Sequence, residues 1–100
     1  MRMSLLIAAM AVVPPFPAAA QGSNPDLGRN LAATCANCHN TTGRSVTNTP
    51  SITGMPAERM LSAMRDFRDG RRPATVMHQL AKGYTDAQLV LIAAHFAAQK

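Results

Sequence analysis

The chain has 100 residues, with ten Lys and Arg against five Asp and Glu, a formal net charge of +5 and 4% aromatic residues. This length allows one small domain with a marginal hydrophobic core. Cys35 and Cys38 are the only cysteines, so no other pair is present to form a disulfide or to complete a zinc site.

Residues 1–20 are predicted to be an export signal. Arg2 forms a short positive region, residues 5–13 are apolar, and residues 18–20 are an alanine-rich cleavage site. An uncleaved membrane anchor is the alternative, but nine apolar residues fall short of the roughly 20 that span a bilayer. We therefore expect cleavage after Ala20, with residues 21–100 forming one periplasmic domain without a membrane span.

A helix is predicted to begin at Asn24-Pro25-Asp26, with an N-cap Asn, Pro at the first helical position and an acid in the first turn. Leu27, Leu31 and Thr34 continue along one face toward Cys35. Gly28 in this helix costs stability relative to Ala, which indicates a close approach of another backbone. An incidental Gly near a fraying end is the alternative.

The run Cys35-Ala36-Asn37-Cys38-His39 is the C-x-x-C-H signature of covalent attachment of a c-type haem. Two thiols about one helical turn apart match the two vinyl groups to which they add, and His39 then supplies the proximal imidazole nitrogen. A thioredoxin-like dithiol would need a βαβ pattern, which the sequence lacks. A structural zinc site, or a chance match with an inert disulfide, is the remaining alternative.

The segment from Asn40 to Gly54 is polar and has no apolar period, so it is predicted to be a loop. A second helix opens at Pro56 and stops at Gly70, with an apolar stripe at i, i+3, i+4, i+7 spacing. That stripe is Ala57, Met60, Leu61, Met64 and Phe67 or Arg68.

A short helix is predicted over residues 74–81. A capping box, Thr85 to Gln88, then opens the last helix, whose buried stripe is Leu89, Ile92, Ala93 and Phe96. No strand pattern appears, so the expected fold class is all-α.

Five arginines account for most of the basic surplus, namely Arg59, Arg65, Arg68, Arg71 and Arg72. A nucleic-acid interface is disfavoured because few aromatic residues lie among them and because the chain carries an export signal. We expect a solvated helix face that steers an acidic partner or holds the haem propionates.

An electron-transfer haem needs a second axial ligand. The candidates after residue 20 are Met55, Met60, Met64, Met77, His78 and His95. Met60 and Met64 have core spacing, and His95 lies beside the buried stripe of the last helix. Met77 and His78 precede the last helix, where the chain can return over the far haem face, and the pattern does not separate the two.

The chain resembles a small class I cytochrome c, and most closely the cytochrome subunit of flavocytochrome c sulfide dehydrogenase. The resemblance is carried by four stretches that together extend over most of residues 21–100, namely Gly28–His39, Pro50–Gly54, Asp66–Arg72 and Thr75–Asp86.

The resemblance implies a monohaem fold in which the terminal helices cross around one covalent haem. It implies Met77 as the distal ligand, Pro50 as the acceptor for the His39 ring N–H, and Gly28 packing near Phe96. The implied function is electron transfer from the FAD of a sulfide-oxidising flavoprotein subunit to a downstream cytochrome or oxidase, with no catalysis by this chain itself. A free-standing periplasmic carrier is the alternative, and 80 residues leave little room for a haem enzyme or sensor.

Overall fold

A computed structural model describes residue 24 and residues 26–100, so the predicted export signal and Pro25 lie outside the described residues. The described residues form five α-helices and one 3₁₀ turn, and no strand occurs among them. The predicted all-α class is therefore confirmed. Within this part of the chain, no helix has the length and apolar character needed to cross a membrane.

The N-terminal helical segment consists of α1 (Leu27–Ala32), a 3₁₀ turn (Ala33–Cys35) and α2 (Ala36–His39). Helix α1 begins two residues later than the sequence predicts. The side-chain oxygen of Asn24 accepts a 2.9 Å hydrogen bond from the Asp26 amide, as expected of a residue that precedes a helix.

Helix α3 (Ala57–Arg68) begins after Pro56, close to the predicted start. It ends at the predicted glycine, Gly70, whose φ is +74°. The Arg71 amide bonds the Asp66 carbonyl (2.9 Å), and the Gly70 amide bonds the Phe67 carbonyl (3.2 Å). These two bonds form a Schellman cap that satisfies the last free carbonyls of the helix.

Two further helices complete the fold. Helix α4 (Met77–Ala81) begins three residues later than predicted. Helix α5 (Asp86–Ala97) has the predicted capping box: the Gln88 amide donates to the Thr85 hydroxyl, and the Thr85 amide donates to the Gln88 side chain.

Helix α1 packs against α5, and α3 packs against α4 and α5. At the α1–α5 contact, a Cβ on Gly28 would lie 2.8 Å from the Leu91 carbonyl oxygen, which explains why glycine is needed there. The atoms nearest to that Cβ position belong to Leu91 and to His95, the residue before Phe96. The Phe96 ring lies against Gly43.

The core contains the apolar stripes predicted for α3 and α5. Its buried apolar members are Ala32, Met60, Leu61, Met64, Ala81, Leu89, Ile92, Ala93 and Phe96. Among the described residues, Phe96 and Leu89 are the largest side chains that are almost fully buried. A core this small gives limited stabilisation by itself, because the hydrophobic free energy scales with the apolar area removed from water.

Candidate haem-attachment site

The two thiols lie on consecutive turns of the N-terminal helical segment. Cys35 ends the 3₁₀ turn and is half-buried, whereas Cys38 lies in α2 and is exposed, and both are free. Burial raises the pKa of the Cys35 thiol above its ordinary value of 9.0, although a hydrogen bond with Thr34 opposes the shift. Reactive C-x-x-C cysteines have a lowered thiol pKa, so the raised pKa of Cys35 gives the dithiol alternative no support.

His39 ends α2 and is the buried polar residue of the core, with only 9% of its surface exposed. Its Nδ1 lies 2.6 Å from the Pro50 carbonyl oxygen. Because a carbonyl can only accept, Nδ1 carries a proton, and Nε2 is the ring nitrogen whose lone pair can bind a metal. The structure thus brings His39 and Pro50 together and prepares Nε2 to bind a metal.

The loop that carries Pro50 is folded back by backbone hydrogen bonds. The Gly43 carbonyl accepts from the amides of Ile52 (2.7 Å) and Thr53 (3.2 Å), and the Gly54 amide donates to the Phe96 carbonyl (2.9 Å). Gly43 is buried at φ +79°, a conformation that favours glycine.

Gly43 is therefore a site residue that sequence reasoning missed. An isolated glycine in a polar loop carries no signal that separates it from an ordinary turn glycine.

Helix α4 carries Met77 and His78, while another candidate, Met55, precedes α3 and is partly buried against the core cluster. Met77 is half-buried and packs against the core cluster. Nδ1 of His78 is buried and has no hydrogen-bond partner among the described residues. As their spacing predicts, Met60 and Met64 are buried in the core. His95 lies edge-on against Phe96, with ring centroids 5.1 Å apart.

These residues fit a covalently attached haem. The chain presents two free thiols one turn apart, an imidazole with an available Nε2, and a thioether on a partly buried helix. The unsatisfied nitrogen of His78 also indicates a missing polar partner, since buried polar atoms are rarely left unpaired.

The apolar side chains beside Met77 also fit a bound haem. Val76 and Leu80, beside Met77, are about half exposed (53% and 51%) and offer apolar surface for a cofactor to cover. The zinc alternative gains no support, since the described residues contain no group of three or more His, Cys, Asp or Glu placed to hold a metal ion.

Two of the arginines in the basic run at the end of α3 are paired with carboxylates of the chain. Arg68 bonds Asp86 at 2.7 Å, and Arg71 bonds Asp66 and Asp69, each at 2.8 Å. The hydrogen bond from Arg68 holds the pKa of Asp86 below its ordinary value of 3.8. The expected steering face is therefore weaker than the arginine count suggests, because two of its charges already have carboxylate partners.

Comparison with known proteins agrees with this geometry. The family model described as cytochrome c matches residues 25–98. The cytochrome subunit of sulfide dehydrogenase from Chlorobaculum tepidum is 45% identical over 69 residues, which cover 69% of this chain and 63% of that protein.

Two further relatives match over similar lengths. Cytochrome c4 from Pseudomonas aeruginosa is 38% identical over 74 residues, covering 73% of this chain and 37% of the relative. Cytochrome c-554(548) from Halomonas halodenitrificans is 32% identical over 77 residues, covering 73% and 93%. The chain thus spans less than two thirds of the length of the first two relatives.

Proposed function

This chain belongs to the cytochrome c family, and we propose that it transfers single electrons through one haem attached to Cys35 and Cys38. When bound, the haem supplies an Fe(III)/Fe(II) couple whose potential depends on its axial ligands and burial. The observation that carries the proposal is the His39–Pro50 hydrogen bond of 2.6 Å, which fixes the ring tautomer beside the two thiols.

His39 acts as the proximal ligand and Pro50 as the residue that orients it. The Pro50 carbonyl accepts a hydrogen bond from Nδ1–H of His39. This bond raises the basicity of the imidazole and prevents rotation of the ring. The short loop behind Pro50 is tied to α5, so the ring orientation is set by backbone contacts and not by a mobile side chain.

Met77 acts as the distal ligand. It belongs to the group of partly buried side chains, Cys35 among them, that pack on the core cluster. A thioether ligand favours the reduced iron and raises the potential, as suits an electron carrier.

The Met77→Leu variant tests this assignment, with His78→Ala as the matched control on the same helix. Met77→Leu should lose the weak near-infrared sulfur-to-iron band of the ferric protein and show a lower potential, whereas His78→Ala should keep both. A bis-histidine spectrum in the wild-type protein would refute the assignment.

The partner we propose is an FAD-containing, sulfide-oxidising subunit in the periplasm, which passes electrons to this chain for delivery to a downstream cytochrome or oxidase. Support comes from the 45% identity to a protein whose name is the cytochrome subunit of sulfide dehydrogenase. Export of the chain through residues 1–20 belongs to the same proposal.

A free-standing periplasmic carrier is the second candidate function. It is favoured by the similarity to cytochrome c-554(548), of which the aligned region covers 93%.

Gel filtration of the native protein at about 0.5 M salt separates the two functions, because the Debye length there is roughly 4–5 Å and exposed charges no longer hold partners together. A permanent subunit should co-elute with a flavin-containing chain, and sulfide should bleach the flavin and then reduce the haem. Elution as a lone haem protein from cells that make the flavoprotein supports the carrier.

A further inference from the structure

A pair of hydroxyl groups joins the two halves of the site. The hydroxyl of Thr34, the residue before Cys35, is hydrogen-bonded to the hydroxyl of Tyr84, which lies 50 residues along the chain. Among the described residues, it is the one hydrogen bond that links residues 26–39 to any residue from 55 onward. The cysteine-bearing segment therefore has a single polar connection to the C-terminal part of the fold.

Tyr84 lies three residues after the end of α4. Its amide bonds the carbonyl of Ala81, the last residue of α4, at 3.4 Å, and the Gly83 amide bonds the Leu80 carbonyl at 3.1 Å. Its ring packs on the core cluster, as do Cys35 and Met77. The position of the Tyr84 hydroxyl is therefore coupled to the position of the helix that carries Met77.

Either hydroxyl of the pair can donate, and either oxygen can accept. A serine at position 34 would keep a hydroxyl there, whereas a valine would keep the shape and lose it. Phenylalanine at position 84 would likewise keep the ring and lose the hydroxyl.

We propose that Tyr84 is a positioning residue that, through Thr34, holds α4 against the cysteine-bearing segment and so keeps Met77 in place as the distal ligand. Helix α4 has five residues and packs on α3, so its own hydrogen bonds do not fix its distance from Cys35. The inference rests on the proposed role of Met77. The proposed positioning concerns the distal side alone, because the hydrogen bond between His39 and Pro50 involves neither hydroxyl.

Imidazole titration of the ferric holoprotein tests the proposal, because imidazole competes with Met77 for the iron. Tyr84→Phe and Thr34→Val should each bind imidazole about three- to tenfold more tightly than wild type, the range that loss of one net hydrogen bond supplies. The double variant should bind no more tightly than either single one, because both remove the same bond. Thr34→Ser should keep the wild-type affinity.

Unchanged imidazole affinity in both single variants would overturn the proposal, even if their thermal stability falls, since that pattern marks a merely structural contact. Additive effects in the double variant would also overturn it.

Hydrogen exchange distinguishes failure of this proposal from failure of the Met77 assignment. If the wild-type protein lacks the sulfur-to-iron band, Met77 is not the ligand and its positioning by Tyr84 is refuted with it. The Leu80 and Gly83 amides should still exchange faster in Tyr84→Phe if Tyr84 secures α4. Unchanged exchange at these amides would refute that coupling as well.

Discussion

Gly43 is the position at which one added methyl group should disturb the site most. A Cβ there would lie 2.9 Å from a side-chain carbon of Ile52, from the Phe96 ring and from the Thr53 amide nitrogen. The left-handed backbone costs alanine about 1–2 kcal/mol, and overpacking of a closed site costs about 1–3 kcal/mol more. Gly43→Ala should therefore lower the free energy of unfolding by about 2–5 kcal/mol.

Gly70→Ala is the matched control. Gly70 has a similar φ, +74° against +79° at Gly43, but no atom lies within 4 Å of its Cβ position. It therefore carries the backbone cost without the crowding. Each kcal/mol shifts the Tm of a domain of this size by about 4–8 °C, so Gly43→Ala should melt at least about 4 °C below Gly70→Ala.

The reduction potential gives a second measurement. Because the Gly43 carbonyl holds the Ile52 and Thr53 amides, the substitution should displace Pro50 and weaken its hydrogen bond to His39. A less basic imidazole stabilises Fe(III) less, so the potential of Gly43→Ala should rise while that of Gly70→Ala stays near wild type. Equal melting temperatures and equal potentials in the two variants would refute the reasoning.

Three further outcomes are expected. Changing Cys35 and Cys38 together to alanine should abolish covalent haem, measured by intact mass and acid-acetone extraction; free extraction of haem from the wild type would contradict the attachment. Gly28→Ala should destabilise the holoprotein by about 1–3 kcal/mol through the 2.8 Å contact with the α5 backbone, whereas the exposed Asn30→Ala in the same helix should be neutral or stabilising in thermal melts. The ion pair between Asp86 and Arg68 stabilises the fold above pH 3.8, and this stabilisation is lost as the pH falls through the lowered pKa of Asp86. In Asp86→Asn the free energy of unfolding should therefore fall less steeply at acid pH than in wild type. An unchanged dependence on acid pH would argue against the ion pair.

The parts of the fold that sequence reasoning predicted correctly depend on short-range signals. The Thr85–Gln88 capping box, the stop at Gly70, and the buried Met60 and Met64 each follow from residues within about two helical turns. Such signals act before tertiary structure forms, so the chain alone displays them. The C-x-x-C-H motif is equally local, so the prediction of haem attachment at Cys35, Cys38 and His39 needs no fold.

The remaining features depend on contacts between distant parts of the chain. Helix α4 has five residues, too few for a clear hydrophobic period, and its predicted start was three residues early. The Arg68–Asp86 ion pair joins residues 18 apart, and the Thr34–Tyr84 bond joins residues 50 apart. Periodicity and spacing carry no information about such pairs, since each depends on how α3, α4 and α5 pack.

The two sides of the site are held by different kinds of contact, and this difference has a functional consequence. On the His39 side, backbone bonds within a short loop and one to the Phe96 carbonyl fix the ring. On the α4 side, one pair of hydroxyls supplements packing on α3. The position of α4 relative to the cysteine-bearing segment depends on that side-chain pair, so removing the pair should let α4 open more readily than the His39 side. If the haem is attached as proposed, an external ligand should then enter on the α4 side, while Cys35, Cys38 and His39 would keep the haem in place.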